Sequence, residues 1–145
     1  PQLRGGIYGL YLDRSYRSPG GAEWDNDNDL HAVPQVYYAW ASPTYPLAFG
    51  LGVYSPFGLS GEWPDTVPFR TAGVYGRLNY TSISPIIAWR VTPTLSIAAG
   101  PTANYADTHL RSGLLPFPGA GDGLGIEGNG WAAGFKAGIL WKVHE

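Results

Sequence analysis

From Gly130 to His144 the chain alternates without a break. Trp131, Ala133, Phe135, Ala137, Ile139, Trp141 and Val143 fall on one face. Ala132, Gly134, Lys136, Gly138, Leu140, Lys142 and His144 fall on the other. The first face is apolar throughout and the second is small or charged. A period of two is the signature of a strand. The run is far longer than the usual strand of about 5–6 residues. Trp131 and Trp141 are ten positions apart on the apolar face. With a rise of about 3.3 Å per residue and a tilt near 40°, they stand roughly 25 Å apart along a barrel axis. That is the height of the apolar band between the two aromatic girdles of a transmembrane β-barrel. A sandwich strand with two core tryptophans would alternate in the same way, but would be shorter.

Five further segments read as strands: Leu3–Leu12, Ala32–Ala41, Pro46–Tyr54, Gly76–Val91 and Thr94–Asp107. Several of their minority faces are small or polar, as in Ala48, Gly50 and Gly52 or Ser96, Ala98 and Gly100. A packed soluble core needs bulky apolar side chains there, whereas a wide barrel lumen does not. The connections alternate in length. Asp13–His31, Gly58–Tyr75 and Thr108–Asn129 are long, while Ser42–Tyr45 and Thr92-Pro93 are short. Outer-membrane barrels join their strands by short periplasmic turns and long extracellular loops. The expected fold is therefore all-β, an antiparallel up-and-down transmembrane β-barrel. Its first, third and fifth strands run outward. Residues 1–145 are expected to form one partial barrel domain, because six strands are fewer than the eight of the smallest bacterial barrels.

Other classes are weakly supported. A net charge of -2 gives no reason to expect nucleic acid. With no Cys there is no disulfide framework, thiolate metal site or cysteine nucleophile. No run approaches the 18 or more apolar residues of a membrane helix. The chain has no Met and opens on Pro1 without a leader-like segment. Both ends lead us to expect a piece of a longer protein. His31, His109 and His144 lack metal-ligand spacing. Asp25, Asp27 and Asp29 lack the glycine and glutamate of a calcium loop, although cations bridging them to lipopolysaccharide are conceivable. No GxSxG elbow occurs, so a hydrolase would need Ser60 or Ser112 to meet His109 in space. We expect no catalytic residue, metal or cofactor.

One stretch resists the strand reading. In Gly50–Trp63, GLGVYSPFGLSGEW, alternation stops at Ser55-Pro56-Phe57-Gly58. Proline cannot donate to a ladder and glycine tolerates unusual dihedrals, so the segment is either a strand end with a turn or a kink. The runs FGLGVYSPFGLSGEWPD (Phe49–Asp65), YGRLNYTSISPIIAWRVTPTLSIAAGPTANYAD (Tyr75–Asp107) and GWAAGFKAGILWKV (Gly130–Val143) resemble the FadL/TodX family of outer-membrane transporters for long-chain fatty acids and aromatic hydrocarbons. The likeness covers about two thirds of the chain well and Pro1–Ala48 loosely.

The resemblance implies a fourteen-stranded barrel with an N-terminal hatch. This chain would supply the first six strands, and the hatch and remaining strands would be missing partners. It implies passive uptake across the outer membrane of a Gram-negative bacterium, with lipid and lipopolysaccharide around the wall. Pro56, Phe57 and Gly58 would form a kink and lateral gap in the third strand. Leu114, Leu115, Phe117, Leu124 and Ile126, with Arg111 beside them, would form an extracellular ligand groove. Trp131, Trp141, Trp89 and Tyr105 would be the membrane girdle. Two readings from other classes remain open, a soluble β-barrel or sandwich that binds a ligand and an outer-membrane lipid hydrolase.

Overall fold

A computed structural model describes residues 1–27, 30–117 and 122–143. Among them there is no helix. The strands are β1 (Gln2–Tyr11), β2 (Ser15–Arg17), β3 (Glu23–Asp25), β4 (Leu30–Ala41), β5 (Leu47–Tyr54), β6 (Gly58–Glu62), β7 (Tyr75–Arg90), β8 (Leu95–Ser112) and β9 (Leu124–Trp141). Six of them form one antiparallel sheet in the order β1-β4-β5-β7-β8-β9, with β6 also paired to β7. β2 and β3 form a separate small hairpin. The sheet is a meander of near neighbours, the up-and-down wall of an unclosed barrel.

The short turns lie at one end. Ser42 donates its N–H to Leu47 O in the first, and Val91 donates to Leu95 O in the second. The long connections all lie at the other, outer end. Two strands run further outward than the alternation suggested. β8 continues to Ser112 and β9 already begins at Leu124, so Thr108–Ser112 and Leu124–Asn129 of the expected fifth loop belong to a ladder with 18 residues on each side. The expected third loop contains β6, and the expected first loop contains the β2–β3 hairpin. His144 and Asp29 lie outside the described residues.

Register sorts the side chains into two faces. Lys136 on β9 donates to the Tyr54 hydroxyl on β5, although β8 and β7 lie between. Strands about 4.8 Å apart would hold β9 and β5 roughly 14 Å apart in a flat sheet, so this contact marks the concave side. Paired residues share a face. Tyr54, Ser82, Asn104 and Ala132 form one cross-strand row on the concave wall. Phe49, Ile87, Ala99 and Ala137 form a row on the convex wall.

The convex face carries Trp131, Phe135, Ile139 and Trp141 on β9, with Phe135 85% and Ile139 76% exposed. Tyr105 lies opposite Trp131 with ring centroids 5.1 Å apart. Trp89 pairs with Leu47 and Ile97 at the opposite, turn end. Buried apolar residues are almost lacking in the wall. Among the described residues, only Val67 and Val74 are buried hydrophobics, and both lie in the outer connection after β6.

The interruption after β5 is a bulge. Tyr54 opposes Ser82, and Gly58 opposes Asn79. Residues 55–57 therefore face only residues 80–81, one extra residue on the β5–β6 side. Such an insertion bends a strand and breaks its pairing locally. It also shifts the alternation. Leu51 and Val53 share the convex face, but beyond the bulge Leu59 pairs with Leu78 on the concave face.

Candidate functional site

Three features meet at the outer end of the wall: an apolar hollow, a gap and a cap of loops. The hollow is about 460 Å³ and is bounded by Leu59, Leu78 and Leu110, with Gly76 and Thr108 between them and Trp63 and Val74 above. Leu59, Leu78 and Leu110 come from three different strands. Leu59 reaches this face because of the bulge, and Phe57 comes with it, its ring centroid 4.3 Å from that of Tyr80. A Cβ on Gly58 would lie 3.3 Å from the Leu78 carbonyl, a contact tighter than most side chains make, so the bulge brings the two backbones close together.

The gap lies beside the hollow. β4 pairs with β5 only from Gln35 to Ala41. Its outer residues, Leu30–Pro34, pair with β1 on one side and have no ladder to β6 on the other. An opening of about 810 Å³ separates them, bounded by His31, Pro34, Phe57, Ser60, Tyr80 and Arg77 among others. Across it, His31 Nδ1 lies 3.2 Å from Ser60 Oγ. Ser60 therefore meets His31 rather than His109, and His109 pairs instead with Glu127 at 3.2 Å. His31 Nε2 is buried without a hydrogen-bond partner, and among the described residues no carboxylate orients this imidazole as a catalytic base requires.

The cap has a small core of its own. Arg70, 3% exposed, donates to the carbonyls of Leu115 and Phe117 at 2.7 Å each and to Asp122 Oδ1 at 2.8 Å. Asp122 also accepts from the Leu115 N–H. The Arg70 guanidinium and then that backbone N–H hold the Asp122 carboxyl below the usual carboxylate range. A Cβ on Gly113 would meet the Arg70 guanidinium at 2.6 Å. On the other side, Arg14 donates to Ser60 O at 3.0 Å, and Asn26 Oδ1 accepts from Glu62 N at 3.0 Å. Phe69 closes the cluster edge-on against Tyr16 and Trp63, at 4.9 and 5.4 Å.

The groove residues expected from the sequence divide three ways. Leu114, Leu115 and Phe117 lie in the connection after β8 and are exposed. Leu124 and Ile126 are not loop residues but belong to β9, opposite Ser112 and Leu110 on the concave face. Ile126 thus adjoins the hollow through Leu110. Arg111 lies on β8 on the other face, 3.4 Å from Glu62, away from Leu110 and Ile126. Pro56, Phe57 and Gly58 sit at the bulge and beside the gap. Leu59, Leu78, Leu110 and Arg70 were not foreseen. The apolar pairing of the first three depends on the face switch at the bulge, and the arginine's partners are 45–52 residues away. Among the described residues no His/Cys/Asp/Glu cluster could hold a metal ion, and no helix is long and apolar enough to cross a membrane.

Residues 9–145 match the family described as outer membrane protein transport protein (OMPP1/FadL/TodX). Among solved structures, the chain is similar to the crystal structure of a Pseudomonas aeruginosa FadL homologue. The TM-score is 0.68 at 18% identity, over 98% of this chain and 39% of that one. The chain thus spans about two fifths of that protein's length, and at this identity the likeness carries the fold alone. No curated protein matches.

Proposed function

Because the chain belongs to the outer membrane transport protein family (OMPP1/FadL/TodX), we propose that it forms part of a barrel for passive uptake of hydrophobic compounds, such as long-chain fatty acids or aromatic hydrocarbons. The observation that carries this reading is one bulge with two consequences. It turns Phe57 and Leu59 into the concave side, where an apolar hollow forms, and it ends the β4 ladder, where the wall opens. A ligand would collect in the hollow under the cap and leave sideways through the gap beside Pro56, Phe57 and Gly58. Leu124 and Ile126 would extend the hollow, with Leu114, Leu115 and Phe117 at its rim.

The convex wall supports a lipid setting. Large apolar side chains cover it, each of which would gain roughly 1.5–3 kcal/mol by leaving water. The row through Trp131 and Tyr105 and, at the turn end, Trp141 and Trp89 would be the two girdles, in the outer membrane of a Gram-negative bacterium. Further strands, a hatch and lipopolysaccharide would complete the setting. The soluble-barrel reading would need that convex face covered by protein.

The test uses the full-length protein in a Gram-negative strain lacking its own uptake of labelled dodecanoate and toluene. Leu78→Asp and Leu110→Asp place a charge in the hollow and should lower uptake of at least one compound about tenfold. Uptake equal to that of the parent in both variants, with the barrel intact, would sink this reading.

A further inference from the structure

The gap between β4 and β6 is framed by two crossings. At its inner end β4 and β5 last pair at Gln35–Tyr54. Further out, His31 Nδ1 lies 3.2 Å from Ser60 Oγ, one hydrogen bond whichever group holds the proton. Between these crossings β4 advances four residues, from 35 to 31, while the facing side advances six, from 54 to 60. At 3.3 Å per residue the two edges measure roughly 13 and 20 Å. The longer edge must bow outward, and its bow carries Phe57 and Gly58. The gap is therefore a slit, closed at one end by the ladder and at the other by His31 and Ser60. Leu59 and Ser60 border both the hollow and the gap, so the outer closure stands between the two.

The two closures differ in strength. The inner one is a ladder of seven successive pairs, Gln35–Ala41 against Ala48–Tyr54. The outer one joins an imidazole to a hydroxyl and leaves His31 Nε2 buried without a hydrogen-bond partner. Beside it Arg14 donates to Ser60 O at 3.0 Å, and its Nε is likewise buried without a hydrogen-bond partner. A buried nitrogen left unpaired offsets much of what the neighbouring bond contributes, so this closure is poised to open. β6 would stay anchored when it does. Asp27 donates its N–H to Glu62 O at 2.8 Å, and Glu62 donates its own to Asn26 Oδ1 at 3.0 Å, two residues beyond Ser60. Release of His31 thus lengthens the free edge by a set amount, from Tyr54–Ser60 to Tyr54–Glu62, or to roughly 26 Å.

We propose that His31 and Ser60 form a latch that selects by size what leaves sideways through the wall. The latch rests on the uptake reading above and narrows its ligands. Single rings and unbranched chains pass the slit with the latch closed. Rigid fused-ring hydrocarbons, which cannot thread through end-on, pass only when it is released.

Uptake of labelled toluene and pyrene tests the latch, with the full-length protein in a Gram-negative strain lacking its own route for either. The quantity read is the ratio of pyrene to toluene uptake. His31→Ala should raise that ratio about fivefold, the worth of one hydrogen bond. Ser60→Ala removes the same bond by deleting a single oxygen, should act alike, and covers the case that His31→Ala does not fold. The reverse manipulation is also open, because residues 1–145 contain no Cys. In the double variant His31→Cys with Ser60→Cys, bridging the two thiols with ethylene bis-methanethiosulfonate should push the ratio below the parent's until a reductant cuts the bridge. A ratio equal to the parent's in His31→Ala and Ser60→Ala, whether both uptakes hold or both rise together, overturns the latch and leaves the uptake reading standing. Absence of toluene and pyrene uptake in the parent itself overturns both.

Discussion

The cap and the wall of this protein are held together in opposite ways. In the cap, Val67 and Val74 are buried, Arg70 gathers two carbonyls and a carboxylate, and three aromatic rings close over one another. In the wall almost nothing apolar is buried within the chain, and cohesion comes from long antiparallel ladders. The cap is organised as in a small water-soluble protein, with a charge paired inside. The wall turns its apolar groups outward, which makes sense only where the solvent on that side is itself apolar. Sequence alternation reads the second kind of organisation well and the first hardly at all.

The comparison breaks most sharply where the wall has no room to adjust. A Cβ on Gly100 would fall 1.9 Å from the Pro85 carbonyl and 2.9 Å from Ile86 Cα, both backbone atoms. Gly100→Val should force β7 and β8 apart and abolish the folded barrel, seen as loss of the heat-dependent mobility shift on gels. A variant that keeps that shift would show that the two strands can part there, where their ladder is already interrupted between Ile83–Ala103 and Ile87–Ala99. The cap should fail separately. Arg70→Ala leaves two carbonyls and Asp122 without their partner, and the loss is local to the loops. Limited proteolysis should then cut between residues 64 and 74 or after β8 while the wall stays resistant. Simultaneous unfolding of both parts would mean that they are one unit.

A smaller effect separates the two faces of β9. Phe135→Lys on the convex side should destabilise the barrel by roughly 2–4 kcal/mol in a bilayer, whereas Ala132→Lys on the concave side should cost little. Equal costs would contradict the face assignment. The mildest handle is pH. Asp122 has its folded-state carboxyl depressed, so its contribution is complete above the ordinary carboxylate range and is lost as pH falls through the depressed value. Acid should therefore loosen the connection after β8, measured by proteolysis, before it affects the wall. Asp122→Asn should remove that pH dependence.

How far the sequence could be read follows from the same division. The long strands were legible because one bulky face and one small face repeat at period two, and the two short turns marked their inner ends. The outer ends of β8 and β9 were not, because beyond Asp107 the apolar residues Leu110, Leu124 and Ile126 fall on the concave face and the polar His109, Arg111 and Glu127 on the convex one, so the pattern of the wall reverses and only the pairing of Thr108–Ser112 with Leu124–Gly128 continues the ladder. β6 was lost for another reason. Its alternation is intact but offset by one residue from β5, so a single frame fits one or the other. The hollow inherits that offset, which is why Leu114 and Phe117 stood out in the sequence while Leu59 and Leu78 did not. Arg70 carries no local signature, since its partners lie in another loop.

That offset makes the β5–β6 segment behave like a reading frame. Removing one residue from 55–57 would change neither its composition nor its hydropathy much. It would nevertheless exchange inside for outside along the whole of β6, turning Leu59 to the exterior and Ser60 and Glu62 toward the interior. Substitutions in this stretch alter a wall, but a change of length by one inverts it.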